Sequence, residues 1–167
     1  MKYCPNCSAV LASKLIDGLD RMTCSAECGF TNWNNPTPVV AALVRLGSDF
    51  VLARNAKWPE GLFSVISGYL ESGESPEVAI ARETHEELGL SAKGVTFLGH
   101  YPFLQSNQII IAYMVDASGE ICSGSEISEV MLLTKDELAT FDFGPLELTT
   151  SIVRNGLELH KALNGEA

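Results

Sequence analysis

Residues 68–90, GYLESGESPEVAIARETHEELGL, crowd six glutamates and three glycines into one stretch. The order of residues there constrains the fold more than any other feature of the chain. Ser75 before Pro76 marks a helix start, because a serine hydroxyl can cap exposed amides and proline suits the first helical position. Glu77 then falls in the first turn, where the helix dipole favours an anion. Gly89 supplies the stop, since glycine accepts the left-handed conformation that ends helices. The pattern predicts a helix over 76–88 with Ala81, Thr84 and Leu88 packed inward. Glu83, Glu86 and Glu87 then stand at i, i+3 and i+4 on one face. Like charges so placed repel by about 0.2–0.5 kcal/mol per pair on an exposed helix. Two readings follow: a solvated acidic face, or a hard-cation site in which clustered carboxylates hold Mg²⁺ or Mn²⁺.

The flanks favour the second. Gly68, five residues, Glu74, seven residues, Arg82-Glu83, then Glu86-Glu87 and Gly89-Leu90 resemble the Nudix box, G-x5-E-x7-R-E-U-x-E-E-x-G-U, where U is apolar. Thr84 stands at the first U and is the one departure. The resemblance implies that Glu83, Glu86 and Glu87 hold divalent metal, that the Gly68 carbonyl adds a ligand, and that Arg82 orients a glutamate. It implies a structural role for Glu74 in the loop before the helix. It also implies hydrolysis of a nucleoside diphosphate linked to a second moiety. Metal ions answer the chemical need, because they neutralise phosphate oxygens and activate water.

Four of the five cysteines lie in the first 28 residues, as Cys4-Pro-Asn-Cys7 and Cys24-Ser-Ala-Glu-Cys28. Two close pairs at this separation suit a tetrahedral zinc site, with disulfides or free thiols as the alternatives. Four thiolates close the coordination shell, so such a zinc is structural. A ribbon of about 30 residues has too little core to fold without it. The expected division is a zinc ribbon over 1–35 and a second domain over 36–167, joined at the turn-rich Asn34-Asn35-Pro36-Thr37-Pro38. Cys122 stands apart, and a buried thiol is the expectation for it.

Past the hinge, strands are expected at 39–46, 50–53, 62–67, 95–103, 109–115 and 130–133, with a capped short helix at 134–138 and a longer one over 146–163. The irregular alternation indicates an α/β (α+β) chain with a mixed sheet between helices. The resemblance implies the Nudix α/β/α sandwich, preceded here by the ribbon. Net charge is −10, which disfavours sequence-independent nucleic-acid binding. Residues 1–35 carry three basic and three acidic side chains, so the ribbon is neutral. No apolar run reaches the ~20 residues of a membrane span, and the N-terminus lacks a signal-peptide core. This gives an expectation of a cytoplasmic chain, where a reducing environment disfavours disulfides.

A zinc ribbon before a Nudix domain is similar to the NADH pyrophosphatases, which carry S-Q-P-W-P-F-P-x-S shortly after the box. Here the stretch reads Gly99-His100-Tyr101-Pro102-Phe103-Leu104-Gln105-Ser106, a partial match that nominates Phe103, Gln105 and Ser106 for substrate binding. Asp17-Gly18-Leu19-Asp20-Arg21 and Asn35-Pro36 look like a shorter zinc-ribbon group that includes FAD and ADP-ribose pyrophosphatases. In the former family aromatics near Tyr69 and Trp33 clasp the adenine, one from each protomer of a homodimer. The alternatives are a rim residue and a ribbon core residue. The family also places an extra glutamate after the long strands, as metal ligand or base; Glu126 is the candidate, with Glu129 its competitor and a plain surface acid the alternative. His85 occupies a variable box position and is read as solvent-facing. The expected substrate is NADH, FAD, ADP-ribose or a similar dinucleotide, cut to AMP and a second monophosphate. An NAD-capped RNA end is conceivable despite the acidic charge. The rival is a non-catalytic nucleotide sensor whose ribbon binds a partner.

Overall fold

The structure is a computed structural model and describes residues 1–165. The chain divides into two compact units, Met1–Pro36 and Thr37–Ala167.

In the first unit β1 (Leu11–Ile16), β2 (Leu19–Cys24) and β3 (Thr31–Asn32) form an antiparallel sheet in that order. Its buried cluster is Cys4, Leu11 and Cys24, with Ala9 and Phe30 packed against it. Three side chains, two of them cysteines, are too small a core to hold about 36 residues folded, so a further crosslink is required.

The second unit contains β4 (Thr37–Leu46), β5 (Asp49–Asn55), β6 (Ile66–Tyr69), α1 (Pro76–Leu88), β7 (Ser91–Phe103), β8 (Gln108–Ser118), β9 (Ile127–Leu133), α2 (Lys135–Ala139) and α3 (Glu147–Asn164). The sheet runs β7-β8-β4-β5-β9, and β6 also pairs with β4. β4 and β8 are parallel and the other pairs antiparallel. The centre of the sheet is β4, where Val39 to Val44 are buried without a break. Such a run is what a strand covered on both faces requires. Val39, Ala41 and Leu43 face one core with Ile152, Val153 and Leu157 of α3. Val40, Ala42 and Val44 face the other with Ala79, Ile80 and Leu88 of α1. The sheet therefore lies between helices, as expected.

The structure corrects three local expectations. The inward face of α1 is Ala79, Ile80, Thr84 and Leu88, with Ala81 only partly covered. Ile80 and Leu88 are fully buried, a contribution of about 1.5–3 kcal/mol each. The strand expected at 62–67 starts later, at Ile66, and so carries Gly68 and Tyr69 within it. Apolar content at Leu62–Val65 comes from packing of an irregular loop, in which Ser64 bridges Ala53. Cys122 is exposed, not buried, because its loop is held by backbone contacts and not by its side chain. Thr134 does cap α2, in a capping box with Glu137.

Candidate active site

Helix α1 begins as its sequence dictates. The Ser75 hydroxyl accepts from the Val78 amide, and Tyr113 of β8 donates to Glu77 in the first turn at 3.1 Å. At the other end Gly89 has φ 71° and its amide reaches the His85 carbonyl. Thr84, the departure from the box, is completely buried and donates to the Ile80 carbonyl at 2.7 Å. Its hydroxyl is thus satisfied inside the helix and its methyl serves the apolar role. His85 is exposed, as expected.

Arg82 organises the acidic face. Its guanidinium donates twice to Glu74 (2.8 and 3.2 Å), to Glu83 (2.8 Å), to Glu86 (3.0 Å) and to the Tyr69 carbonyl (3.2 Å). Planar, forked and always charged, arginine can make all these bonds from one position. The Arg82 bonds, with the Glu71 amide, hold the Glu74 carboxyl below its ordinary range. Glu74 therefore ties the loop 69–74 to the helix, a structural part.

Behind the helix, Gly68 comes so close to Glu83 that a β-carbon there would lie 1.9 Å from a carboxylate oxygen. Only glycine permits this approach, which brings the 68 backbone against the Glu83 side chain.

The last carbonyls of α1 lack intrahelical partners, and the segment after β8 supplies them. The Cys122 amide bonds the Leu88 carbonyl and the Gly124 amide the Glu87 carbonyl, both at 2.9 Å. A β-carbon on Gly124 would sit 2.4 Å from the Glu86 carbonyl. Strapped in this way, the loop delivers Glu126 to the acidic face, and its carbonyl accepts from the Ala56 amide at 2.8 Å. Glu87 and Glu126 line a common cleft of about 70 Å³ with Asn55, Trp58, Ser64 and Ser67. Glu129 points elsewhere, paired with Arg54 at 2.6 Å.

The electrostatics agree with this assembly. Burial, then the charges of Glu83, Glu126 and Glu86, push the Glu87 carboxyl up to about 8. Burial also raises Glu83, in spite of its bond to Arg82. Both groups carry a strain that a bound cation would relieve. The donors are carboxylates, the hard oxygen ligands that Mg²⁺ and Mn²⁺ prefer. Yet they do not close into a tight ligand cage: among the described residues, the four cysteines are the group whose ligand atoms all come within 4.8 Å. Mutual repulsion opposes a closer approach of the carboxylates, and one Arg82 nitrogen bridges Glu83 and Glu86.

The cysteines form that group without a disulfide. Cys4 and Cys28 sulfurs lie 3.4 Å apart, and Cys7 and Cys24 sulfurs 3.3 Å. A tetrahedron with metal–sulfur bonds of about 2.3 Å sets sulfurs roughly 3.8 Å apart, so the set fits zinc. The Cys28 amide leads the interactions that lower the Cys24 thiol to about 6. The wider C-x3-C spacing is accommodated by Glu27 at φ 54°.

The remaining nominees fall in several places. Tyr69 is 60% exposed, and its hydroxyl accepts from Gln108 at 3.3 Å. By register it shares a face with Val39, whereas Gly68 shares one with Val40. Phe103 is partly buried against the α3-side core, which leaves it less open to substrate than expected. Gln105 and Ser106 are exposed in a 3-10 turn at the tip of the β7–β8 hairpin. Trp33, in the first unit, is 48% exposed and is covered by the Arg21 guanidinium, 5.6 Å from its ring centre. Trp58 and the Arg54–Glu129 pair were not singled out by sequence; an aromatic in the Pro-Gly loop 58–61 was the available signal. A larger apolar pocket between α2 and α3, about 300 Å³, is lined by Leu138, Phe141 and Val153 among others. It lies away from the carboxylates.

Comparison with known proteins agrees with this geometry. Residues 35–150 match the NUDIX domain family. The NAD-capped RNA hydrolase NudC of Mycobacterium tuberculosis is 43% identical over 105 residues, 60% of this chain and 34% of the relative. The protein of that name from Pseudomonas aeruginosa is 27% identical over 165 residues, 96% of this chain and 56% of the relative. The chain thus spans between about a third and just over half of these curated relatives. A NUDIX hydrolase crystal structure from Nitrosomonas europaea superposes with a TM-score of 0.80 at 21% identity, covering 99% of this chain and 94% of that one. The solution structure of the Escherichia coli ORF135 protein gives 0.61 at 24% identity, covering 77% and 93%. These likenesses extend to the fold.

Proposed function

This chain belongs to the NUDIX domain family, and from that premise we propose a divalent-metal-dependent hydrolase that cuts the diphosphate of a dinucleotide. NADH, FAD and ADP-ribose are the expected types, with AMP and a second monophosphate as products. The observation that carries the reading is the convergence of Glu83 and Glu126 on Glu87, whose carboxyl is pushed up to about 8 by burial first and then by those neighbouring charges and that of Glu86. A fold would gain nothing from that repulsion unless a cation offset it. The non-catalytic sensor is not favoured, since every box glutamate is present and Glu126 stands beside them.

Glu83, Glu86, Glu87, Glu126 and the Gly68 carbonyl would hold Mg²⁺ or Mn²⁺. Bound there, such cations supply charge neutralisation of the phosphates and a lowered pKa for attacking water. Arg82 holds Glu83 and Glu86 in place through its bonds to both. Glu126 is exposed at the cleft with Glu87, and as metal ligand or as base it would act on the attacking water. Tyr69 offers a face for the adenine, a contact of about 1–3 kcal/mol. The cysteines hold a structural zinc. We read the protein as a cytoplasmic homodimer with a zinc ribbon over 1–35, acting on free dinucleotides and, as the relatives' name suggests, on NAD-capped RNA ends. No helix among the described residues is long and apolar enough to cross a membrane.

The test offers NADH, NAD⁺, FAD, ADP-ribose, diadenosine polyphosphates and NAD-capped RNA, with Mg²⁺ and then Mn²⁺. AMP release that is lost in Glu87→Gln and lowered at least tenfold in kcat by Glu126→Gln supports the reading. Tight binding without turnover of any substrate moves the protein to the sensor class. Full kcat in Glu126→Gln removes that residue from the site. Light scattering of the eluting protein reads the oligomer.

A further inference from the structure

We propose that Trp58 is the stacking platform for the ring of the second, non-adenylate half of the substrate. This rests on the diphosphatase reading above and adds a specificity element to that site. Trp58 lines the cleft that Glu87 and Glu126 share. It is 37% exposed, an apolar ring left open to water beside a charged cleft.

The loop that presents it is held by bonds from three sides. The Trp58 amide donates to the Asn55 carbonyl at 2.9 Å. Its own carbonyl accepts from Arg54 at 3.2 Å. Arg54 is in turn fixed by Glu129 at 2.6 Å, and Ser128 donates to the Arg54 carbonyl at 3.0 Å. Two residues before Trp58, the Ala56 amide bonds the Glu126 carbonyl. Trp58 and Glu126 therefore belong to one braced assembly, with Arg54 and Glu129 as positioning residues. This gives Glu129 a task that does not require it to touch substrate.

The geometry selects the half. A dinucleotide carries a ring at each end of its diphosphate. Tyr69 adjoins Gly68 in β6 and meets Gln108 at the start of β8. Trp58 is reached from the other direction, through β5 and the start of β9. Trp58 shares the cleft of Glu87 and Glu126, whereas Tyr69 by register stands on the sheet face opposite to that of Gly68, so the two aromatics cannot serve the same ring. The cleft is small, about 70 Å³. It cannot engulf a ring, which must lie across the indole at the mouth.

Steady-state kinetics on NAD⁺ and ADP-ribose isolate the contact, because the second lacks only the nicotinamide ring. Trp58→Ala should raise KM for NAD⁺ about tenfold and KM for ADP-ribose less than twofold, with kcat for ADP-ribose retained. Trp58→Phe should restore most of the NAD⁺ affinity. Equal losses on both substrates would make Trp58 scaffold only, and no change on either would remove it from the site; each outcome overturns the proposal. If the wild type releases AMP from neither compound but does so from another dinucleotide named above, the diphosphatase reading stands; if from none, that reading fails separately. Binding then decides the stacking role, in a Trp33→Phe background with Ca²⁺ present. Saturable quenching of Trp58 fluorescence by NAD⁺ and not by ADP-ribose sustains it, and equal or absent quenching refutes it.

Discussion

Removing the Glu87 charge should make the metal-free protein more stable at alkaline pH. The Glu87 carboxyl titrates near 8 in the fold against 4.5 for an ordinary glutamate. A glutamate raised in this way favours the folded state while it is protonated. That contribution is complete below 4.5 and is lost as pH rises through about 8. The full displacement corresponds to nearly 5 kcal/mol at most. Part of the side chain is solvated, and solvent screening reduces the figure to about 2 kcal/mol. Glu87→Gln keeps the shape and drops the charge on which Glu83, Glu126 and Glu86 act. At pH 9 in metal-free buffer the variant should therefore melt above the wild type by roughly 4–8 °C. At pH 5 the two should coincide to within a degree or two. Resin-treated buffer is preferable to a strong chelator, which would also strip a metal held by the cysteines. Trp58 fluorescence in a Trp33→Phe background reports the second unit alone. Added Mg²⁺ should raise only the wild type, closing the gap by mass action. Parallel melting curves across the pH range, or a variant less stable at pH 9, would refute the idea that repulsion is stored at Glu87.

Three further outcomes are expected. Half-activation by Mg²⁺ should require more metal as pH falls from 8 to 6, by up to about tenfold per pH unit, since one proton must leave Glu87 for metal to bind; a requirement independent of pH would count against Glu87 as a ligand. Gly68→Ala places a methyl where the Glu83 carboxylate lies, 1.9 Å away, and should lower kcat/KM or metal affinity about ten- to hundredfold without unfolding the sheet, as circular dichroism and Mg²⁺ titration would show. Elemental analysis should find one zinc per chain, and Cys24→Ser should lose it together with the Trp33 emission change that marks the Arg21–Trp33 stack, measured in a Trp58→Phe background.

Much of the candidate site lies in a single local segment, and for that reason it was legible. The bounds of α1 follow from Ser75, Pro76 and Gly89, residues that act through their own backbone. The shared face of Glu83, Glu86 and Glu87 follows from helical period alone. The cysteine pairs are similar: two short spacings bring four thiols within reach of one ion. Sequence was less reliable where a residue's surroundings come from distant chain. Ile80 stands four residues before Thr84 and eight before Leu88, on their helical face, while Ala81 is only partly covered. Cys122 was expected inside because thiols usually are, but its loop is anchored through amides to Leu88 and Glu87.

The chain's local order by itself determined the helix, its acidic face, the four-cysteine set and the strand that must be covered on both sides. Tertiary structure decided which other residues join them. Glu126 rather than Glu129 stands with Glu87, because the loop amides of Cys122 and Gly124 cap the end of α1 and swing Glu126 into the cleft, while Arg54 draws Glu129 away. Trp58 reaches the same cleft through a bond from that same arginine. Such placements depend on where free carbonyls and charges meet across the fold. No spacing along the chain encodes that meeting, so it becomes visible only once the sheet has brought β5, β9 and α1 together.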